Sequence, residues 1–205
     1  MIETLILTPH IPHMRRLTAI LCLTLAMLLG STGVSWSADL EKGLDAYKNK
    51  DYATALRELK PLAKNKGALS LFYSKEDVII AQYNLGVMYD KGQGVPQDNK
   101  TAVKWYRLAA EQGNARAQYN LGVMYRKGRG VLQNYKTAVK WFRLAAGQGI
   151  AAAQYYLGVV SQKGQGVSKN DKTAVKWYRF AAKQGNARAQ YNLGFMYRKG
   201  KGVLQ

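Results

Sequence analysis

The chain has 205 residues, with 31 Lys+Arg against 12 Asp+Glu and a formal net charge of +19. Hydrophobic residues make up 47%, enough for a core, which excludes a disordered polybasic tail. Cys22, His10 and His13 are the only residues of their kinds, so removal of the first 22 residues leaves no disulfide, thiolate or imidazole metal site, Cys nucleophile or His base.

Arg15 and Arg16 precede an apolar run of 13 residues, Leu17 to Leu29, which is followed by Gly30, Ser31, Thr32, Gly33, Ser35 and Ser37. A basic start, a short apolar run and a small-residue exit are the parts of a secretory signal peptide. The competing reading is a retained anchor, for which the run is short, since a final bilayer span needs about 20 apolar residues. Cleavage after Ser37 puts Ser35 and Ser37 at the small −3 and −1 positions, whereas cleavage after Ala38 would put bulky Trp36 at −3. Residues 1–37 are therefore assigned as signal, with Met14 as an alternative start. The mature chain is expected in a bacterial periplasm or outside the cell, with no transmembrane anchor.

Beyond residue 80 one unit is copied at a period of 36 residues, over 81–116, 117–152 and 153–188, with an incomplete copy at 189–205. The first and second copies agree at 27 of 36 positions, the first and third at 26. Each copy predicts two antiparallel helices. Ala81, Leu85 and Met88/Tyr89 form one apolar stripe. Lys91-Gly92-Gln93-Gly94-Val95 ends that helix, because a glycine after the last periodic residue takes the left-handed conformation at little cost. Asp98, Asn134 and Asn170 stand where an N-cap is wanted. Ala102, Tyr106, Ala109 and Ala110 then line the inner face of the second helix, with Lys104, Arg107 and Glu111 elsewhere; Gly113 closes it and Asn114 caps the next.

Gly86, Gly122, Gly158 and Gly194 recur inside the first helices. A mid-helix glycine costs about 1 kcal/mol against alanine, so recurrence at one register predicts a close approach, with Tyr or Trp of a neighbouring helix lying over it. One hairpin cannot bury its own stripe, so the units stack. The fold class is all-α: a right-handed α-solenoid of antiparallel helix pairs. The last copy has no second helix, so Leu193, Phe195 and Met196 are expected to lack cover; either the chain is a fragment of a longer product or its open end pairs with another molecule.

The pattern A-x-x-x-L-G-x-x-Y-x-x-G-x-G-V followed by A-x-x-W-Y/F-R-x-A-A-x-x-G resembles the Sel1-like repeat family, relatives of tetratricopeptide repeats, across 81–205. Ser161 replaces the expected Tyr in the third copy, which predicts weaker packing of its first helix. Residues 38–67, with Gly43, Ala46, Tyr47, Asp51 to Leu56 and Pro61 to Ala63, resemble the divergent opening repeat of exported members. Residues 68–80 are an insertion that either lengthens the following helix or forms a loop; Leu71, Phe72, Val78, Ile79 and Ile80 predict that it is packed. The resemblance implies a protein-interaction scaffold. Some cysteine-rich members bind or hydrolyse β-lactams, but their repeats are stapled by disulfides. This chain has no Cys to match, so that activity does not carry over.

Other chemistries fare poorly. KGQG, KGRG and KGKG lack the preceding strand and the Lys-Ser/Thr pair of a phosphate loop, which leaves the helix C-cap reading. The aromatics (Tyr83, Tyr89, Trp105, Tyr106 and their equivalents) fall at buried-face register, so they read as core before base-stacking platforms, and nucleic acid is disfavoured as a partner. Carboxylates are few and none is placed as a facing pair. The reading is non-enzymatic: no catalytic, cofactor-binding or metal residues and no cofactor.

The charge has a position. Residues 38–111 hold 12 basic and 10 acidic side chains; residues 112–205 hold 17 basic and one acidic, Asp171. A solvated outer face explains charge but not its sign. Asp90 becomes Arg126, Gln162 and Arg198 in later copies; Gln93 becomes Arg129, Gln165 and Lys201; Glu111 becomes Gly147 and Lys183. These changes predict exposed positions free to specify a partner. Arg126, Lys127, Arg129, Lys163, Lys183, Arg198, Lys199 and Lys201 are accordingly assigned to binding an acidic protein, or alternatively an anionic envelope surface of lipid headgroups or cell-wall polymer.

Overall fold

The structure is a computed structural model and describes residues 39–64 and 73–202, all within one compact unit. The signal-peptide assignment, and Leu71 and Phe72 of the insertion, fall outside the described residues. The described residues form nine helices: α1 (Leu40–Lys48), α2 (Tyr52–Ala63), α3 (Lys75–Lys91), α4 (Asn99–Glu111), α5 (Ala115–Lys127), α6 (Tyr135–Gly147), α7 (Ala151–Lys163), α8 (Asp171–Lys183) and α9 (Ala187–Arg198). Each packs on the next in the chain, and the first helices also touch one another, α3 against α5 and α7 against α9.

Local chemistry sets the helix starts. Asp98, Asn134 and Asn170 accept from the backbone N–H of Thr101, Thr137 and Thr173, so each second helix begins where the sequence places its cap. Asn114 and Asn186 cap α5 and α9 in the same way. Ile150 holds the corresponding place before α7 and makes no side-chain cap. The insertion lengthens the helix: α3 runs 17 residues against 13 in α5, behind a capping box in which Ser74 and Asp77 serve each other's N–H.

The KGxG loops carry two glycines with different tasks. The first, at Gly92, Gly128 and Gly164, is the left-handed cap with φ of 67°, 68° and 71°. The second lies against the main chain of the preceding copy. A Cβ on Gly130 would stand 2.2 Å from the carbonyl oxygen of Asn99, and one on Gly166 would stand 2.5 Å from the carbonyl carbon of Tyr135. Successive copies therefore meet backbone to backbone.

Packing explains the small residues inside the helices. The ring of Tyr106 covers Gly86, Phe142 covers Gly122 and Tyr178 covers Gly158, each so closely that an added Cβ would fall within 2.7 Å of it. The Ala-Leu-Met stripe of a first helix faces the preceding copy: Ala81, Leu85 and Met88 cluster with Ala55, Leu59 and Leu62, while Ala117, Leu121 and Met124 cluster with Tyr106 and Ala109. That direction corrects one expectation. Met196 is fully buried against α8 and its cluster, although among the described residues no helix follows α9. Leu193 and Phe195 are half-buried, and Tyr191 and Tyr197 are the exposed aromatics of α9, at 74% and 47%.

Candidate functional site

The second helices repeat a K-x-x-x-K-x-x-R spacing: Lys100, Lys104 and Arg107 on α4; Lys136, Lys140 and Arg143 on α6; Lys172, Lys176 and Arg179 on α8. Residues at i, i+4 and i+7 share one helix face, and all nine are exposed. Leu108, Leu144 and Phe180, beside each arginine, are 43%, 52% and 42% exposed, so the face mixes cations with apolar surface. The stripe differs in its last member, Glu111 on α4, Gly147 on α6 and Lys183 on α8. On α8, Lys172, Lys176, Arg179 and Lys183 line a cleft of about 560 Å³ with Val175 and Phe180.

The eight residues assigned from sequence do not form one patch. Lys127, Lys163 and Lys199 occupy one register at or just beyond the C-terminal ends of α5, α7 and α9 and are exposed, as are Arg198 and Lys201 beside them. Lys183 ends α8, which runs antiparallel to α7 and α9, so it stands at the opposite edge, about a helix length of 18 Å away. It belongs with Lys172, Lys176 and Arg179 instead. Arg126 and Arg129 are half-buried, contrary to the expectation of free exposure. The Arg126 guanidinium lies 4.6 Å from the centre of the Tyr156 ring, a cation–π contact. Arg129 donates to Asp90 at 2.5 Å and to Asn99 at 3.1 Å. Both cations tie one copy to its neighbour.

The Sel1 repeat model matches residues 79–114, 115–150, 151–186 and 187–205, well over half of the chain. The chain belongs to the Sel1 repeat family. A Sel1 repeat protein from Oxalobacter formigenes is similar at 39% identity with a TM-score of 0.70, over 81% of this chain and 64% of that one. A protective antigen of uropathogenic Escherichia coli strains, displaying an SLR fold, is similar at 37% identity with a TM-score of 0.63, over 80% of this chain and 37% of that one. The chain thus spans less than two thirds of either structure. No curated protein matches significantly. Sel1 repeats as a family are generally non-enzymatic scaffolds for protein–protein interaction.

Within these Sel1 repeats Tyr83, Tyr106, Tyr119, Tyr155 and Tyr178 serve packing. Tyr83 packs on Tyr106 with ring centres 6.2 Å apart, Tyr119 on Phe142 at 6.2 Å and Tyr155 on Tyr178 at 6.0 Å. Burial, chiefly, pushes the Tyr178 hydroxyl up to about 12 and that of Tyr106 higher still. These phenols stay protonated at any physiological pH and supply no phenolate. No cluster of metal-ligating side chains occurs among the described residues, and no described helix is long and apolar enough to cross a membrane.

Sequence reading missed a buried amide chain. Gln82, Gln118 and Gln154 donate to the carbonyls of Ala63, Ala110 and Ala146 in the preceding copy, and each accepts from Gln112, Gln148 or Gln184 at the end of its own copy's second helix, at 2.7–2.8 Å. The signal was available, since both glutamines stand at one register in every complete copy. Buried amides left unpaired are costly, so the chain fixes how the Sel1 repeats stack and keeps the basic stripes side by side.

Proposed function

We propose that this protein is an exported, non-enzymatic Sel1 repeat scaffold whose basic C-terminal half docks an acidic surface on a partner protein. The observation that carries the reading is the pair of exposed K-x-x-x-K-x-x-R stripes on α6 and α8 with Leu144 and Phe180 beside them, over residues 112–205, where Asp171 is the only acidic side chain. Such a field speeds encounter with acidic surfaces, and the exposed Leu144 and Phe180 supply contact area once docked. Of the residues first assigned, Lys183 acts with Lys172, Lys176 and Arg179, while Lys127, Lys163, Arg198, Lys199 and Lys201 extend the positive field along the other edge. Arg126 and Arg129 are committed to internal contacts and act mainly through net charge. Export rests on the Arg15-Arg16 start, the apolar run and the Ser35/Ser37 exit.

The test uses the mature chain against immobilised polyglutamate and, separately, against vesicles containing anionic phospholipid, each at low and high salt. Capture by polyglutamate should weaken steeply as salt shortens the Debye length below about 10 Å. The charge reversal Lys172→Glu, Lys176→Glu, Lys183→Glu should abolish it. Polyglutamate capture that ignores both salt and charge reversal refutes the reading; capture by vesicles alone replaces it with an anionic envelope surface.

A further inference from the structure

Three consecutive copies offer a comparison that the sequence makes by itself. In the second copy Tyr125 inserts beside the preceding second helix, and its hydroxyl accepts from the Arg107 guanidinium at 2.8 Å. In the fourth, Tyr197 accepts from Arg179 at 2.7 Å. The third copy meets the equivalent arginine, Arg143 of the second copy, but Ser161 stands at the tyrosine position and Val160 where the neighbours have Met124 and Met196. Both changes remove volume from one spot. The result is a cleft of about 220 Å³ lined by Val139, Leu157, Val160 and Trp177, with Arg143 and Ser161 among its polar members and Ser168, Asn170 and Thr173 at its edge with the loop and the start of α8. In the copy before, Tyr125 and Trp141 pack against the cluster that holds the corresponding Val103, Leu121 and Met124. Arg143 has no hydrogen-bond or ion-pair partner among the described residues.

We infer that this cleft between the second and third Sel1 repeats is a binding site for one phenol-sized aromatic ring bearing an acceptor oxygen, held as Tyr125 is held. The shape argument is internal: Tyr125 shows what ring packs with a valine, a leucine and a tryptophan, and Tyr125 and Tyr197 together show which guanidinium takes its oxygen. Size agrees, since an aliphatic cavity of about 150 Å³ binds benzene. The polar part adds direction. A phenol oxygen aligned on Arg143 gains a charge-assisted hydrogen bond, and a methyl in its place gains none. The ring arrives either as a tyrosine side chain of a partner protein or as a free phenolic molecule. The site does not depend on the acidic-partner reading, because its ligand is neutral and its binding should be insensitive to salt.

The test is a titration of the mature chain followed by amide NMR shifts and melting temperature, with p-cresol, toluene and N-acetyl-tyrosinamide as probes. p-Cresol should shift signals from residues 157–170 and bind about tenfold more tightly than toluene, the ratio expected for one hydrogen bond to a charged group. Arg143→Gln should erase that preference. Ser161→Tyr should raise the melting temperature and abolish p-cresol binding; Val160→Met, which narrows the same cleft with a residue its neighbours tolerate, should weaken it. Binding of N-acetyl-tyrosinamide as well as p-cresol assigns the site to a protein side chain; binding of p-cresol alone assigns it to a free molecule. No shift with p-cresol, equal affinity for toluene, or undiminished binding in Ser161→Tyr overturns the inference.

Discussion

Gly122 and Gly194 sit in the same local sequence, Tyr-Asn-Leu-Gly, at the same helical register. Their surroundings are opposite. A Cβ added at Gly122 would lie 2.7 Å from two carbons of the Phe142 ring and 3.3 Å from the carbonyl oxygen of Ala138, whereas one added at Gly194 meets nothing within 4 Å. Carbon atoms rest at about 3.5–4.0 Å, so the ring must retreat by roughly 1 Å. Phe142 is fully buried and stacked on Tyr156 at 5.2 Å, which leaves it nowhere to go. Overpacking of this kind costs about 1–3 kcal/mol. Replacing a mid-helix glycine by alanine returns about 1 kcal/mol at either site. Gly194→Ala should therefore stabilise by about 1 kcal/mol, while Gly122→Ala should range from neutral to about 2 kcal/mol destabilising. The difference between the two variants isolates the ring contact, since the propensity gain cancels. For a chain of this size 1 kcal/mol moves the melting point by about 2–4 °C. Paired thermal and urea unfolding by far-ultraviolet circular dichroism reads the shift, and hydrogen exchange in α9 localises the gain at Gly194. Equal shifts in the two variants would refute the argument that the recurring glycine exists to admit a ring.

Three further outcomes follow from other contacts. Asn134→Ala removes the acceptor for the Thr137 N–H and should cost about 1 kcal/mol in urea unfolding, with Asn134→Asp close to neutral. Gly166→Ala forces a Cβ against the main chain of Tyr135 at a φ of 73°, so calorimetry should show the units before and after it melting in separate steps. Glu58 tests acid stability. Burial pushes its carboxyl up, but hydrogen bonds and charge from Arg57 and Lys42 outweigh that and hold it below the ordinary glutamate value of 4.5. A depressed folded value means that the unfolded chain takes the proton first, so this contribution is present above pH 4.5 and is lost as pH falls through the folded value. Melting temperature against pH should fall less steeply below 4.5 in Glu58→Gln than in the parent.

The legible features were those set by spacing along one copy. Asp98, Asn134 and Asn170 declare helix starts through local chemistry, and the buried register of Tyr106 follows from its distance to Ala102 and Ala109. Periodicity names a face but not which neighbour it meets. Met196 was misjudged for that reason: its stripe turns back to the copy before it. Arg129 and Arg126 looked free because their partners, Asp90 and Tyr156, lie 39 and 30 residues away, distances that mean nothing until copies are stacked. Lys183 shared charge with Lys163 and Lys199, but antiparallel helices put it at the other edge. The cleft at Ser161 was half legible. Loss of a tyrosine was plain, whereas the arginine left beside the gap required the pairs at Tyr125 and Tyr197.

The contact of Gly130, Gly166 and Gly202 with the main chain of the preceding copy has a consequence for inheritance. A junction made of backbone atoms is the same whatever surface side chains flank it, so any copy can follow any other. Lengthening or shortening by whole units, as recombination between near-identical stretches would do, then yields a compatible seam without compensating changes, and decoration such as Lys183 or Ser161 can drift copy by copy. A chain carrying a second tandem 115–150 should fold, with helical signal raised by one unit and an unchanged or higher melting point; a molten or aggregated product would show that side-chain pairs, not the glycine seam, set the order of the copies.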